Sequence, residues 1–468
     1  MNWNQEEEDE YGLSLSRFEA MLKTNKVFFF DSEEFEDIIL HYLERGKTNL
    51  AKKALKLGLE QHPKSTGLKL VQVEILVYEN KLDLGEKILS DLFQIEPNNP
   101  EIYIQKANIH SKKGEHEKSV ELLLTALEYT DDLADVYSLI GMEYLFMDQL
   151  EKAKENFILC LQVDPEDYSS LYNITYCYNL LEEHQEAADF LNMFIEGNPY
   201  SEVAWHQLGR QYHVLENYEK AVWAFEYAIV IEEFFIGAYI EKAKALERLK
   251  KYDEAINCYN QALEIDDPSW YIFYRMAKCY EKLGNQDSAI EFYLKATIED
   301  PMLEKAWLSL IDIFVKEEDY ELALKQIELA SDIDPENDKF WKRFASINFL
   351  LEKYDQAYIG FENVIKFGTT DLDVFLMFAD LNVAYSHNYE KAISVLIEAS
   401  ELHPDHFEIE YRLSGLYFSL NNPNVAKFHL NNALISNFEH HILLEKFFPD
   451  FYASELVQSL INKHRALQ

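Results

Sequence analysis

Glycine (14) and proline (11) are scarce in this 468-residue chain, and no Ser- or Gly-rich stretch interrupts it. That argues against separate domains strung on flexible connections and for one continuous array. Cysteine is scarcer: Cys160, Cys177, Cys258 and Cys279 are the four, with no CxxC pair among them. They read as buried free thiols, which suits a reducing compartment. Bases are outnumbered, with 43 Lys and Arg against 84 Asp and Glu and a formal charge of −41. A chain this acidic is repelled by phosphate backbones and by anionic membrane surfaces, so neither nucleic acid nor membrane is an expected partner. No apolar run approaches the length of a membrane span. The opening Met1 to Glu10 lacks the basic and apolar regions of a signal peptide, and residues 1 to about 13 read as an acidic tail. A cytoplasmic location is expected.

Catalytic signatures are missing too. HExxH, GxSxG and GxGxxG do not occur. Gly46-Lys47-Thr48 has the ending of a phosphate loop, but His41 stands where its leading Gly is required. His440 and His441 are adjacent, which on a helix turns them about 100° apart, poor geometry for one metal. His403 and His406 flank the Pro404-Asp405 turn, and pairs such as Asp266-Asp267 carry no weight in so acidic a chain. No enzyme activity, cofactor, metal or small-molecule substrate is expected.

What the sequence has is a period. From Ser32, steps of 34 residues give units opening at Thr66, Pro100, Ala134, Tyr168, Glu202, Ile236, Trp270, Glu304, Asp338 and Leu372 without an insertion. One extra residue near His387 precedes a twelfth unit at Phe407. The sixth unit shows the design. Trp205, Leu208, Gly209 and Tyr212 fall on one face of a first helix, and Ala221, Phe225 and Ala228 on the matching face of a second. The eighth and twentieth places of the units are small, so the two helices approach closely; Ile39, Val73 and Ile311 at the eighth place call for looser or locally adjusted packing. Pro63, Pro97, Pro165, Pro199, Pro301, Pro335 and Pro404 close unit ends. Such a unit buries its apolar stripes only against neighbours. Hydrophobic content of 48% and aromatic content of 14% suffice for one unbroken core.

The pattern aromatic–Leu–Gly–Tyr followed by Ala–Phe–Ala–Pro resembles the tetratricopeptide repeat, over Ser32 to about Asn437. The resemblance implies an all-α right-handed superhelix of about twelve helix-turn-helix units, long enough to pass a full superhelical turn. The chain then divides into 1–31, an acidic tail and capping helix; 32–437, the array; and 438–468, C-terminal caps. At the N-terminal end Ser14 to Lys23 form a short helix, and Val27-Phe28-Phe29-Phe30 cover unit one or dock a partner. At the other end Phe438 to Phe448 and Ala453 to Asn462 form two helices broken at Pro449-Asp450.

In that family the inner surface is lined by places two, five, six, nine and twelve of each first helix. In units one to four these hold Glu33, Glu36, Asp37, Glu74, Glu101 and Asp135 and no base. In units five to nine the sign turns: Arg210, Lys244, Arg275, Lys278, Lys305, Lys339, Lys342 and Arg343 stand against Glu241, Glu247, Glu281 and Asp312. Tyr172, Tyr176, His206, His213, Tyr271 and Tyr274 are interleaved, with Asn173 as one of the amides. The expectation is an interaction scaffold whose groove takes a protein or peptide, an acidic or carboxylate-ended segment at units five to nine. Neutralisation of these bases by the chain's own acids is the competing account. The family's clamp for chaperone tails is not reproduced, since Ile104 and Leu139 stand at two of its polar places. A structural subunit docking through its ends and convex face is the alternative function.

Overall fold

The computed structural model describes residues 14–23, 28–265, 269–404 and 406–465. The acidic tail, Val27, Asp266-Asp267, Pro268 and Asp405 lie outside them. Every regular element among the described residues is helical. The fold class is an all-α solenoid of tandem helix pairs, with first helices from Ser32–Glu44 to Phe407–Ser419 and second helices from Thr48–Gln61 to Pro423–Ser436. Contacts divide the chain into two compact bodies, Met1–Leu249 and Lys250–Gln468. Pairs one to six and the first helix of pair seven belong to the first body.

Helix starts follow side-chain chemistry. Asp31 and Glu34 form a reciprocal capping box at the first pair, and Ser65, Asp132, Ser201 and Asn337 accept backbone N–H groups at later first helices. The link between the two helices of a pair follows a rule that residue types hide. The fifteenth place is left-handed in every pair, at Gly46, Asn80, Gly114, Asp148, Glu182, Glu216, Lys250, Gly284, Glu318, Glu352 and Asn421, with His387 in the lengthened pair. At pair six Glu216 N–H donates to His213 O (3.1 Å) and Asn217 N–H to Tyr212 O (2.8 Å). That is a Schellman closure of the first helix, and Asn217 at once caps the second through its side chain. Pair eleven absorbs its extra residue in this link: the first helix stops at Ala384, the second starts at Tyr389, and Asn388 N–H reaches back to Asn382 O.

The close approach of paired helices rests on matched volumes. All twelve small residues at the twentieth place, from Ala51 to Ala426, are buried. A Cβ on Gly141 or Gly209 would lie 2.6 Å from the ring of Phe157 or Phe225, the residue at place 24 of the same pair. Ile39, Val73 and Ile311 are fully buried, so packing there is tight, and place 24 opposite them holds aliphatic Leu55, Leu89 and Ile327 in place of a ring. In these three pairs a larger place eight is matched by a smaller place 24 than the rings of pairs four and six. Proline also ties units together: Trp205, Trp307 and Trp341 donate Nε1–H to the carbonyls of Pro199, Pro301 and Pro335 at 2.8–3.0 Å.

At the N-terminal end Phe18, Met21 and Phe30 pack on Phe35, Ile38 and Tyr42 of pair one. At the other end a 3-10 turn Phe438–His441 leads to helices Ile442–Phe447, Pro449–Tyr452 and Glu455–Arg465. Pro449 thus opens a helical turn where the sequence suggested a break, as a residue lacking N–H is tolerated in a first turn. Leu444, Phe451, Val457 and Ile461 cover Leu430, Ala433 and Leu434.

Candidate functional site

Places two, five, six, nine and twelve recur about every helical turn, so they fall on one face of each first helix. The two bodies present this face separately. In the first body Glu36, Asp37, Glu74 and Asp135 titrate above the ordinary carboxylate range. Burial is the main cause for each, and neighbouring carboxylates add to it: Glu33 and Asp37 around Glu36, Glu101 beside Glu74, Asp132 and Asp167 around Asp135.

Further along this body Tyr172 and Tyr176 are exposed one turn apart on helix Tyr168–Leu180. Asn173 lies beside them, with its amide 3.7 Å from Met142 Sδ. Arg210, His213 and Lys244 meet with Asn179, Gln211 and Glu241 around a small cavity of about 190 Å³. Lys244 is bonded to Glu241 at 2.8 Å, while Arg210 is exposed and reaches Gln207 Oε1 at 3.5 Å. His213 packs edge-on against Tyr218. His206 leaves the lining. Its ring is buried between Phe225 and Phe235, at 5.6 and 4.8 Å, and among the described residues neither ring nitrogen has a hydrogen-bond partner. Burial, with Arg210 nearby, lowers its pKa to about 4, so it is neutral and part of the core.

In the second body Tyr271, Tyr274, Arg275 and Lys278 share helix Trp270–Leu283. The guanidinium of Arg275 lies 5.9 Å from the Tyr271 ring centre and the ammonium of Lys278 5.6 Å from that of Tyr274. Lys305 is exposed at the second place of the next first helix, Glu304–Lys316. Among the described residues neither Lys278 nor Lys305 is held in a direct ion pair, although the charge of Lys305 helps lower the adjacent Glu304. Lys339, Lys342 and Arg343 stand on Asp338–Leu350, the first helix of pair ten, so the basic stretch runs one unit beyond the five to nine counted from the sequence.

These last three bases are already engaged. Lys339 bonds Glu304 at 2.6 Å, Lys342 bonds Asp371, and Arg343 grips Asp312 through Nε and Nη2 at 2.7 and 3.0 Å. Arg412 repeats the Arg343 geometry on Asp380, at 3.0 Å through both nitrogens, and adds Glu408. In both cases an arginine at place six holds a carboxylate at place nine of the preceding pair, a bidentate tie between units. Burial pushes Glu304 and Asp371 up, but their bonds to Lys339 with Asn337 and to Lys342 outweigh it and leave both below the ordinary range. Sequence reasoning missed these partners because Glu304 and Asp371 stand outside the lining places; the nine-to-six spacing of acid and arginine was the available signal for the other two.

Among the described residues no cluster of three or more His, Cys, Asp or Glu is arranged to hold a metal, and no helix is long and apolar enough to cross a membrane. All four cysteines are buried and unbridged. Burial raises the Cys160 thiol to about 12 and Cys177 to about 11, leaving both inert at neutral pH.

Sequence profiles of the family described as Tetratricopeptide repeat match residues 100–132, 134–167, 237–267 and 271–301. The Cell division cycle protein 27 homolog of Caenorhabditis elegans is 25% identical over 100 residues, 21% of this chain and 13% of that protein. The Mus musculus Interferon-induced protein with tetratricopeptide repeats 3 is 28% identical over 101 residues, 22% of this chain and 25% of that one. The matched stretch thus spans a quarter or less of either relative. Among solved structures, the C-terminal part of a TPR repeat-containing protein from Cytophaga hutchinsonii aligns with 51% of this chain and 97% of its own, at 15% identity and a TM-score of 0.42.

Proposed function

The chain carries tetratricopeptide repeats, the building block of protein–protein interaction scaffolds, and on that premise we propose that it binds an acidic or carboxylate-ended segment of a partner protein at Tyr271, Tyr274, Arg275, Lys278 and Lys305. One observation carries this reading: among the described residues neither Lys278 nor Lys305 is held in a direct ion pair, Lys305 acting on its neighbour Glu304 only through its charge, in a chain with 84 acids to 43 bases. Lys339, Lys342 and Arg343 are spoken for, Lys339 and Arg343 as ties to the preceding unit and Lys342 by Asp371, the residue that caps the next first helix. The half-buried Tyr271 and Tyr274 add rigid contact area beside the charges. In the first body Arg210, with Tyr172 and Tyr176, offers a second, weaker contact of the same kind. The role is non-enzymatic, and the four reduced, buried thiols support a cytoplasmic setting.

The test is binding of a Glu-rich peptide with a free carboxyl end, followed by fluorescence anisotropy. Lys278→Glu/Lys305→Glu should weaken binding by at least about tenfold, with the affinity of the parent chain falling as salt rises. Unchanged affinity in that variant, with its helix content intact, would overturn the proposal.

A further inference from the structure

A cavity of about 610 Å³ lies between the second helix of pair nine, Tyr320–Ile333, and the first helix of pair ten. None of its lining stands at an inner-groove place. Trp341 and Phe344 form its floor with Leu324 and Ile327, the two rings meeting edge to face at 5.6 Å. Its rim is acidic: Glu321, Glu328 and Asp332 against Lys325.

Trp341 is less covered than the equivalent indoles of other pairs. At pair six the equivalent indole, Trp205, is stacked on Tyr227 at 4.6 Å and flanked by Trp223 at 5.1 Å, and is only 8% exposed. Both covering residues come from its own second helix. Pair nine keeps an apolar residue, Leu329, at the place of Tyr227, and its Trp307 is 7% exposed. In pair ten those two places hold Ile359 and Asn363. The Asn363 amide turns back to the Ile359 carbonyl of its own helix at 3.0 Å. The cover is missing, and Trp341 and Phe344 stay half-buried beside open volume.

We infer that this cavity is a docking site for a partner segment that inserts an aromatic or branched aliphatic side chain flanked by Lys or Arg. The aromatic floor suits the anchor, as buried pockets at interfaces do. The three-to-one excess of carboxylate on the rim selects the flanking charge. A second copy of this chain is a poor occupant, because each copy carries a formal charge of −41. An anionic lipid surface is disfavoured by the same rim. The inference rests on the chain's role as an interaction scaffold and is independent of the inner basic lining.

The probe is a fluorescein-labelled amphipathic helix of Leu, Trp and Lys, with a twin in which every Lys is Glu, each titrated with the full chain. The Lys helix should bind and the Glu twin should not. Glu328→Lys/Asp332→Lys should weaken binding by at least about tenfold, whereas Asp91→Lys/Glu121→Lys, equal in charge change and exposed in the first body, should leave it within about twofold. Asn363→Tyr, which supplies the cover seen at pair six, should block binding with the fold intact. Equal loss in both charge variants would reduce the effect to general attraction to an acidic chain and overturn the site. Binding of both helices alike would overturn the charge selection, and full binding by Asn363→Tyr would remove the cavity from the contact.

Discussion

Along the first-helix lining, pairs one to four set carboxylate against carboxylate, whereas in pairs nine to twelve the lining bases meet carboxylates, some at lining places and some just outside them. Glu36, Asp37 and Glu74 are pushed up by burial and by neighbouring carboxylates, while Glu304 and Asp371 are held down by bases. The backbone is the same in both regions, so the difference lies in a few side chains. A place-nine acid becomes a tie only when place six of the next pair is an arginine. Asp312 meets Arg343 and Asp380 meets Arg412, but Glu74 faces a unit whose sixth place is Gln105. Charge at these places therefore reports neighbours before it reports ligands.

The largest test of this contrast is removal of a tie. Arg412 is buried between Asp380 and Glu408, so Arg412→Ala should cost about 3 kcal/mol. The midpoint of urea unfolding checks this, and Arg412→Ala/Asp380→Ala should recover part of the loss. A cost near zero would make the ties ornamental.

The converse experiment installs a tie where none exists. Gln105→Arg should bond Glu74 and stabilise the first body by about 1 kcal/mol near neutral pH. The sign follows from linkage. Glu74 now titrates above the ordinary value of 4.5, so its contribution is favourable below that value and is lost as pH rises through the raised one. A bonded arginine reverses this, giving a gain present above the ordinary value that fades as the pH falls and Glu74 is protonated. His206 adds an opposite trend in the same body. Its value of about 4 lies below the ordinary 6.5, so stability present above 6.5 is lost as pH falls toward about 4. Unfolding of His206→Leu compared with the parent over that window isolates this contribution.

The smallest effect concerns a feature both regions share. Of the twelve left-handed link residues, only Gly46, Gly114 and Gly284 are glycine. Glu216→Gly and Glu318→Gly should each relieve the Cβ penalty and stabilise by about 0.5–1 kcal/mol, one in each body. Unequal responses would show that the links differ despite their common geometry.

Periodic features were legible in the sequence and pairwise ones were not. The helix pairs, the buried place twenty and the free thiols follow from residue type at a fixed spacing, which local physics enforces at every turn. The left-handed link escaped notice because nine of its residues are ordinary polar types; a Schellman closure is a backbone demand that Glu and Lys can meet at modest cost. Ile39, Val73 and Ile311 looked loose until place 24 was set beside place eight. The basic lining was legible as composition, but the partners of Lys339 and Lys342 stand outside the lining places. His206 occupies a lining place yet is drawn inward by Phe225 and Phe235.

Pair eleven shows where the array gives way. Its extra residue beside His387 is taken up wholly between Ala384 and Tyr389, and the helices on either side keep their lengths. The link thus behaves as an expansion joint: chain length can drift there without the following repeats losing phase. Loops grafted at Glu216 or Glu352 would ride on the rim of the stack, so recognition segments could be added to such a protein without rebuilding the helices that carry them.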